Sequence, residues 1–156
     1  MKIKTYFHAP FGVVPALRLS HVPRWAIINV SKQQSVAEHS FNVAVIVRYL
    51  CGVMGLSSPR TNECMADAIY HDLDEVWTSD IPTPAKEKEK RPRHTENLVV
   101  KLADVIESIR FIQVYCLEPT VTKLWIMNEM TKKVTVMLEK MGIDYNDIKL
   151  LLEELK

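Results

Sequence analysis

Five acidic or imidazole side chains fall within ten positions of the stretch "AIYHDLDEVWTSDIPTPAK", Ala68 to Lys86: His71, Asp72, Asp74, Glu75 and Asp80. The run before them, "MADAIY", is one that a helix buries. A cluster of this make-up can be a solvated helix end, or it can hold a divalent cation. Other polar residues inside apolar runs bear on that choice. His39 stands in "SVAEHSFNVAVIVRYL", in phase with Val43, Ile46 and Leu50, and so on an inward helix face. Asp72 is in phase with Met65, Ala68 and Ile69, and Asp104 lies one turn after Val100 in "VVKLADVIES". A buried carboxylate without a partner is costly. Two carboxylates and two imidazoles can meet that cost together by binding one cation, which makes His39, His71, Asp72 and Asp104 a candidate N/O ligand set. Taken singly, each has a simpler reading: a hydrogen-bonded core histidine, or an aspartate that caps a helix or meets water.

The elements that must position these groups read as helices. Only four glycines occur, and no Asn-Gly or Asp-Gly turn joins two apolar runs. Ser35 and Glu38 form a capping box ahead of a helix that Gly52 or Gly55 can end. Ser58 is the expected cap of the next helix, with Pro59 at its first position and a run through Val76. The "SDIPTPAK" segment, with two prolines, is a loop. Beyond the polar run "KEKEKRPRH", Thr95 is the expected cap of a helix whose inner face is Leu98, Leu102, Val105, Ile109 and Ile112. A further helix is expected from near Pro119 to Met141, stopped by Gly142, and Asp144 can cap a last one. The N-terminal "APFGVVPALRLSHVPRWAI" predicts a short helix and then a structured loop carrying Arg24 and Trp25.

Composition bounds the rest. With 156 residues the chain is expected to be a single domain, 1–156, with a real core. Net charge is +1, from 20 basic and 19 acidic residues, which points to neither nucleic acid nor a charged membrane surface. The three cysteines, Cys51, Cys64 and Cys116, lack C-x-x-C spacing and read as buried thiols of a reducing cytoplasm. "MKIKTYFHAPFG" has no apolar core of a secretory leader, and no apolar run reaches the roughly 20 residues of a bilayer span. A cytoplasmic protein is expected.

In order along the chain, "RWAI", "SVAEHS", "AIYHDLDEVWTSDIPTPAK" and "KLAD" resemble the HD-domain phosphohydrolases. Among these the chain is most similar to bacterial 5′-deoxynucleotidases and small phage dATP triphosphohydrolases. The likeness runs from Arg24 to Asp104; past Ile112 no motif matches. It implies an all-α HD fold of about six helices. It further implies His39, His71, Asp72 and Asp104 as ligands of one divalent metal (Co, Mn, Zn or Fe), with a second Mg on the phosphate tail as an additional expectation. The metal would activate a water and polarise the phosphoryl group. Asp72 and Glu75 would be the catalytic carboxylates, Glu75 orienting the attacking water or acting as general acid/base. Arg24 would grip a phosphate through its planar guanidinium. Trp25 would pack on sugar or base and Ile27 would border the base pocket. Asp80, Thr83 and Pro84 would line the wall that selects 2′-deoxyribose, and Lys86 would reach phosphate oxygens.

The implied reaction is metal-dependent hydrolysis of a 2′-deoxynucleotide at the 5′ phosphorus, most simply dATP to deoxyadenosine and triphosphate. The alternative is a 5′-deoxynucleotidase that releases phosphate from monophosphates. The 17 residues between Lys86 and Asp104 replace a longer helical insert of the larger deoxynucleotidases, and their basic run suits a triphosphate. His8, His21 and His94 fit no second metal site, which argues against a di-iron oxygenase. A non-catalytic nucleotide-binding HD module would be expected to lack Glu75 or one of the ligands. The relatives' habit implies a homo-oligomer, dimer or hexamer, in the cytoplasm (that of the host if the chain is of phage origin), with no nucleic-acid or membrane partner.

Overall fold

A computed structural model describes residues 13–79 and 97–154. Asp80, Thr83, Pro84 and Lys86 lie outside the described residues, as do the basic run and Thr95. The described residues form helices α1 (Val13–Leu17), α2 (Val36–Val53), α3 (Ser58–Tyr70), α4 (Glu75–Thr78), α5 (Leu98–Tyr115), α6 (Thr120–Met141) and α7 (Tyr145–Glu154), with a 3-10 turn at Arg18–His21. Among these residues no strand forms, only two isolated bridges. The all-α architecture expected from the sequence is the one observed among the described residues, with five helices of ten residues or more. No helix among the described residues is long and apolar enough to cross a membrane.

Helix α2 is the centre, packed against α3, α5 and α7, and α6 covers the other side of α5. Its His39, Val43, Ile46 and Leu50 are all buried, as the helical phase requires. Each fully buried aliphatic side chain there contributes about 1.5–3 kcal/mol of burial free energy. Val99, Val100, Leu102, Ala103 and Ile106 of α5 complete this core, with Val134 and Leu138 of α6 and Ile148 and Leu151 of α7.

Local chemistry sets the ends. Ser35 Oγ accepts from the Glu38 amide at 3.1 Å, while the Glu38 carboxylate takes Lys32 instead of closing the box. Gly55, at φ +64°, terminates α2, and Gly142, at φ +65°, terminates α6. In each case the following amide reaches back, Leu56 to the Cys51 carbonyl and Ile143 to that of Leu138. Asp144 Oδ1 caps α7 through the Asn146 amide at 2.7 Å.

Four expectations are corrected. The cap of α3 is Ser57, one residue before Ser58. The cap of α5 is Asn97, whose side chain accepts from the Val99 amide, not Thr95. Ile69 and Leu98 are 44% and 39% exposed, because the buried stripes are Thr61, Cys64, Asp67 and Ala68 on α3 and Val99, Leu102, Ala103 and Ile106 on α5. Helix α3 stops at Tyr70 rather than running to Val76, and Glu75 starts a separate short helix. All three cysteines are free and buried.

The loop from Val22 to Ser35 is fastened at both ends. Arg24 and Val36 amides bond the Gln34 and Val22 carbonyls. Its tip is laced to the end of α5: the Ser31 amide to the Tyr115 carbonyl, the Leu117 amide to the Asn29 carbonyl, and the Asn29 amide to Glu118 Oε1, all at 2.8–2.9 Å.

Candidate metal and phosphate site

Helix α2 brings His39, with no exposed surface, to the junction where α3 gives way to a turn carrying His71 and Asp72. One ligand atom from each of His39, His71 and Asp72 lies within 4.8 Å of the others. His71 Nε2 is 3.1 Å from Asp72 Oδ2 and His39 Nε2 is 3.8 Å from the same oxygen. Asp104, on α5, comes in beside them with Oδ1 3.1 Å from His39 Nε2, its side chain 37% exposed.

The remaining ring nitrogens decide the tautomers. His71 Nδ1 lies 2.7 Å from the Ala68 carbonyl oxygen, and His39 Nδ1 lies 2.7 Å from Glu107 Oε2. Both partners accept, so each Nδ1 is the protonated nitrogen and donates. The Nε2 atoms, whose lone pairs a metal would take, are left facing Asp72 and Asp104. Both Nε2 atoms are buried, and among the described residues neither makes a well-directed hydrogen bond. Two imidazole nitrogens and the Asp72 carboxylate grouped at one place, with Asp104 against His39, are a donor set that suits a zinc-like cation, so these residues fit a divalent metal.

The electrostatics agree with a site built to hold positive charge. Burial works to lower the His71 pKa, but Asp72 beside it outweighs that and lifts it to about 9. Partial burial works to raise the Asp104 carboxyl, and His39 beside it, with the His71 and Arg24 charges, brings it down to about 2. Glu107 is likewise held below the usual carboxylate range, burial being overcome by His39 and then Arg24.

Arg24 and Trp25 open the loop before α2. Arg24 Nη1 lies 3.6 Å from Glu107 Oε2. Its Nε and Nη1 are buried and make no hydrogen bond among the described residues. Trp25 stacks on Phe111 with ring centroids 5.3 Å apart and donates from Nε1 to Gln34 Oε1 at 3.1 Å. Its packing is thus internal, with the Arg24 guanidinium over its ring at 5.1 Å. Ile27 is 72% exposed and Glu75 2%. Asp72 and Glu75 are joined by a turn, in which the Glu75 amide bonds the Asp72 carbonyl at 3.1 Å.

Two residues at the heart of the arrangement are absent from the sequence expectations, Glu107 and Gln34, both essentially buried. Glu107 had a signal: it stands one turn after Asp104 in an apolar run, on the same helix face. Gln34 had none, since it lies in a loop.

Comparison with known proteins identifies the family. A dATP triphosphohydrolase of Cyanophage S-2L is 28% identical over 142 residues, 90% of this chain and 78% of its own length. A dATP triphosphohydrolase of Acinetobacter phage SH-Ab 15497 is 36% identical over 45% of this chain, and a 5′-deoxynucleotidase of Erwinia tasmaniensis is 32% identical over 55%. The chain spans less than half the length of these two, 39% and 45%. In structure it resembles the Cyanophage S-2L HD phosphohydrolase DatZ, solved with dA and one catalytic Zn²⁺ ion, at a TM-score of 0.70 and 22% identity, over 92% of this chain and 95% of that one. That likeness carries the fold. The family model described as 5′-deoxynucleotidase YfbR-like matches residues 13–109, a span that holds Arg24, His39, His71, Asp72, Glu75, Asp104 and Glu107. The chain belongs to this YfbR-like family of HD phosphohydrolases.

Proposed function

We propose that the protein hydrolyses 2′-deoxynucleotides at the 5′ phosphorus, that dATP is its substrate, and that deoxyadenosine and triphosphate are its products. The observation that carries the reading is the pair of buried Nε2 atoms, fixed by their Nδ1 bonds to face Asp72 and Asp104. His39, His71, Asp72 and Asp104 would hold one divalent ion, zinc or cobalt by donor type. When bound, such an ion polarises a phosphoryl group and acidifies a water.

The chain's own residues supply the rest. Arg24, whose buried Nε and Nη1 make no hydrogen bond among the described residues, grips phosphate oxygens next to the metal set. Glu75, buried at the start of α4, takes the proton of the attacking water or orients it. Trp25 acts on the substrate through Arg24, whose place it fixes. Asp80, Thr83, Pro84 and Lys86 are assigned to the deoxyribose wall and the phosphate tail by family resemblance. We place the enzyme in the cytoplasm as a single domain, and the homo-oligomer is favoured by Trp125, 65% exposed, and Val121, 80% exposed, on α6.

The choice of dATP is supported by the phage relative that aligns with 90% of this chain. The second reading, phosphate release from deoxynucleoside monophosphates, is favoured by the description of the matched family. Product analysis by ion-pair chromatography separates them. The protein is incubated with Co²⁺ or Mn²⁺ and, separately, dATP, dGTP, dCTP, ATP and dAMP. Deoxyadenosine with intact triphosphate from dATP, ATP being spared, is expected. Phosphate from dAMP alone selects the second reading, and no product from metal-loaded protein leaves a nucleotide-binding module.

A further inference from the structure

Three hydrogen-bonding groups and one guanidinium converge on the Glu107 carboxylate, which has no exposed surface. Gln34 Nε2 and Asn42 Nδ2 donate to Oε1 at 2.6 and 3.1 Å. His39 Nδ1 donates to Oε2 at 2.7 Å, and Arg24 Nη1 stands 3.6 Å from that same oxygen. One oxygen faces amides, and the other faces a candidate metal ligand and the candidate phosphate clamp. Glu107 itself rides α5 one turn beyond Asp104.

We propose that Glu107 is the positioning residue of this site: a single buried carboxylate fixes the His39 tautomer and the seat of Arg24, holding the metal end and the phosphate end in register. The Arg24 half rests on the functional reading above; the His39 half does not.

The chemistry demands a carboxylate. Only an ionised carboxyl offers two acceptor oxygens and no donor. In Glu107→Gln the new NH₂ must face one side or the other. Facing Gln34 and Asn42, it opposes two amide donors, and Gln34 can turn its own amide only by giving up the bond from Trp25 Nε1. Facing His39, it drives the imidazole proton to Nε2, the atom aimed at Asp72 and Asp104, and removes the lone pair a metal needs. Neither arrangement serves both ends.

The test begins without nucleotide. Zn²⁺ and Co²⁺ affinities of the full-length wild type and Glu107→Gln are measured by competition with a chromophoric chelator. A weakening of about 10–100-fold is expected. Long-range ¹⁵N–¹H correlation of the imidazoles is expected to show His39 protonated at Nδ1 in the wild type and shifted toward Nε2–H in the metal-free variant. A residue that merely fills space would move neither reading in an isosteric variant. Affinity within about twofold of wild type, with the same tautomer, overturns the proposal.

Should the variant fail to fold, the zinc-loaded wild type decides: His39 bound through Nε2 with a proton on Nδ1 supports the proposal, and His39 bound through Nδ1 overturns it. For the Arg24 half, Gln34→Met cuts the tie between Glu107 and Trp25. KM is expected to rise with kcat and metal affinity held; an unchanged KM overturns that half. A wild type that binds metal tightly but turns over no deoxynucleotide sinks the functional reading while leaving the His39 result standing.

Discussion

The Trp25 indole and the Phe111 ring lie face to face, their planes 3° apart and their centroids separated by 5.3 Å. Trp25 holds this stack at φ +65°, a left-handed conformation that costs a residue with a β-carbon about 1–2 kcal/mol. The stack and the bond to Gln34 offset that cost and fix the residue just before it, Arg24. Trp25→Ala is expected to raise KM about tenfold or more as Arg24 loses its seat, and to lower stability by roughly 1–3 kcal/mol. Trp25→Gly loses the same ties but is also relieved of the backbone cost that Trp25→Ala keeps, so its unfolding midpoint should lie above that of Trp25→Ala with KM just as poor. Denaturant titrations beside steady-state kinetics check both.

Glu75 separates chemistry from metal binding. Glu75→Ala should lower kcat by about 10²–10⁴-fold, the range of a lost general acid/base. Its metal content by plasma emission should match the wild type. Turnover kept near wild type would remove Glu75 from the mechanism while leaving the ligand set intact.

Asp72 should behave in the opposite way. Its Oδ2 lies near both imidazole Nε2 atoms, so Asp72→Ala removes a ligand and the partner of His71 together. Purified variant is expected to carry little metal and to stay inactive when Co²⁺ is added back. Chelation should stop the wild-type enzyme, and restored Co²⁺ or Zn²⁺ should restart it. Stoichiometric metal in the variant would sink the assignment.

The pH dependence of metal binding follows from His71. In the metal-free protein its pKa is raised to about 9 from the ordinary 6.5 by Asp72, against the effect of burial. A raised folded-state pKa stabilises the metal-free fold fully below about 6.5, and that contribution fades as pH climbs through about 9. A metal must displace the same proton. Calorimetry of Zn²⁺ binding at neutral pH, in buffers of differing ionisation enthalpy, should report release of about one proton, with affinity rising about tenfold per pH unit up to about 9. Asp104 runs the other way: its carboxyl, lowered to about 2, supports the fold above the ordinary range near 3.8 and is lost as pH falls through 2. No proton release on Zn²⁺ binding would mean that His71 is already neutral.

Helix positions and their stops were legible in the sequence because period and glycine chemistry act locally. The phase of His39 with Val43, Ile46 and Leu50 and the stop at Gly142 depend on one helix at a time. Ile69 and Leu98 were misplaced for the same reason: each sits at the edge of an apolar stripe, and only the neighbouring helices decide where burial ends. The break after Tyr70 was missed because "HDLDEV" keeps a helical pattern while its side chains bond elsewhere, as His71 Nδ1 does with the Ala68 carbonyl. His39, His71 and Asp72 could be picked out, since each interrupts an apolar face or carries a family motif. Gln34 could not, because its role exists only through residues distant in sequence.

That distance has a consequence for how the chain matures. The His39–Glu107 bond closes a span of 68 residues, Gln34–Glu107 one of 73, and the Asn29–Glu118 tie one of 89. Such closures carry the largest entropy cost and reward the chain only once the intervening helices have docked. Helix α2 and the turn after α3 hold three candidate ligands on their own, but the groups that orient His39 and seat Arg24 arrive with α5. During synthesis, then, the arginine loop cannot be clamped until the residues of α5 have left the ribosome. Tight metal loading would coincide with completion of the fold, so that bound metal is itself a marker of a finished molecule.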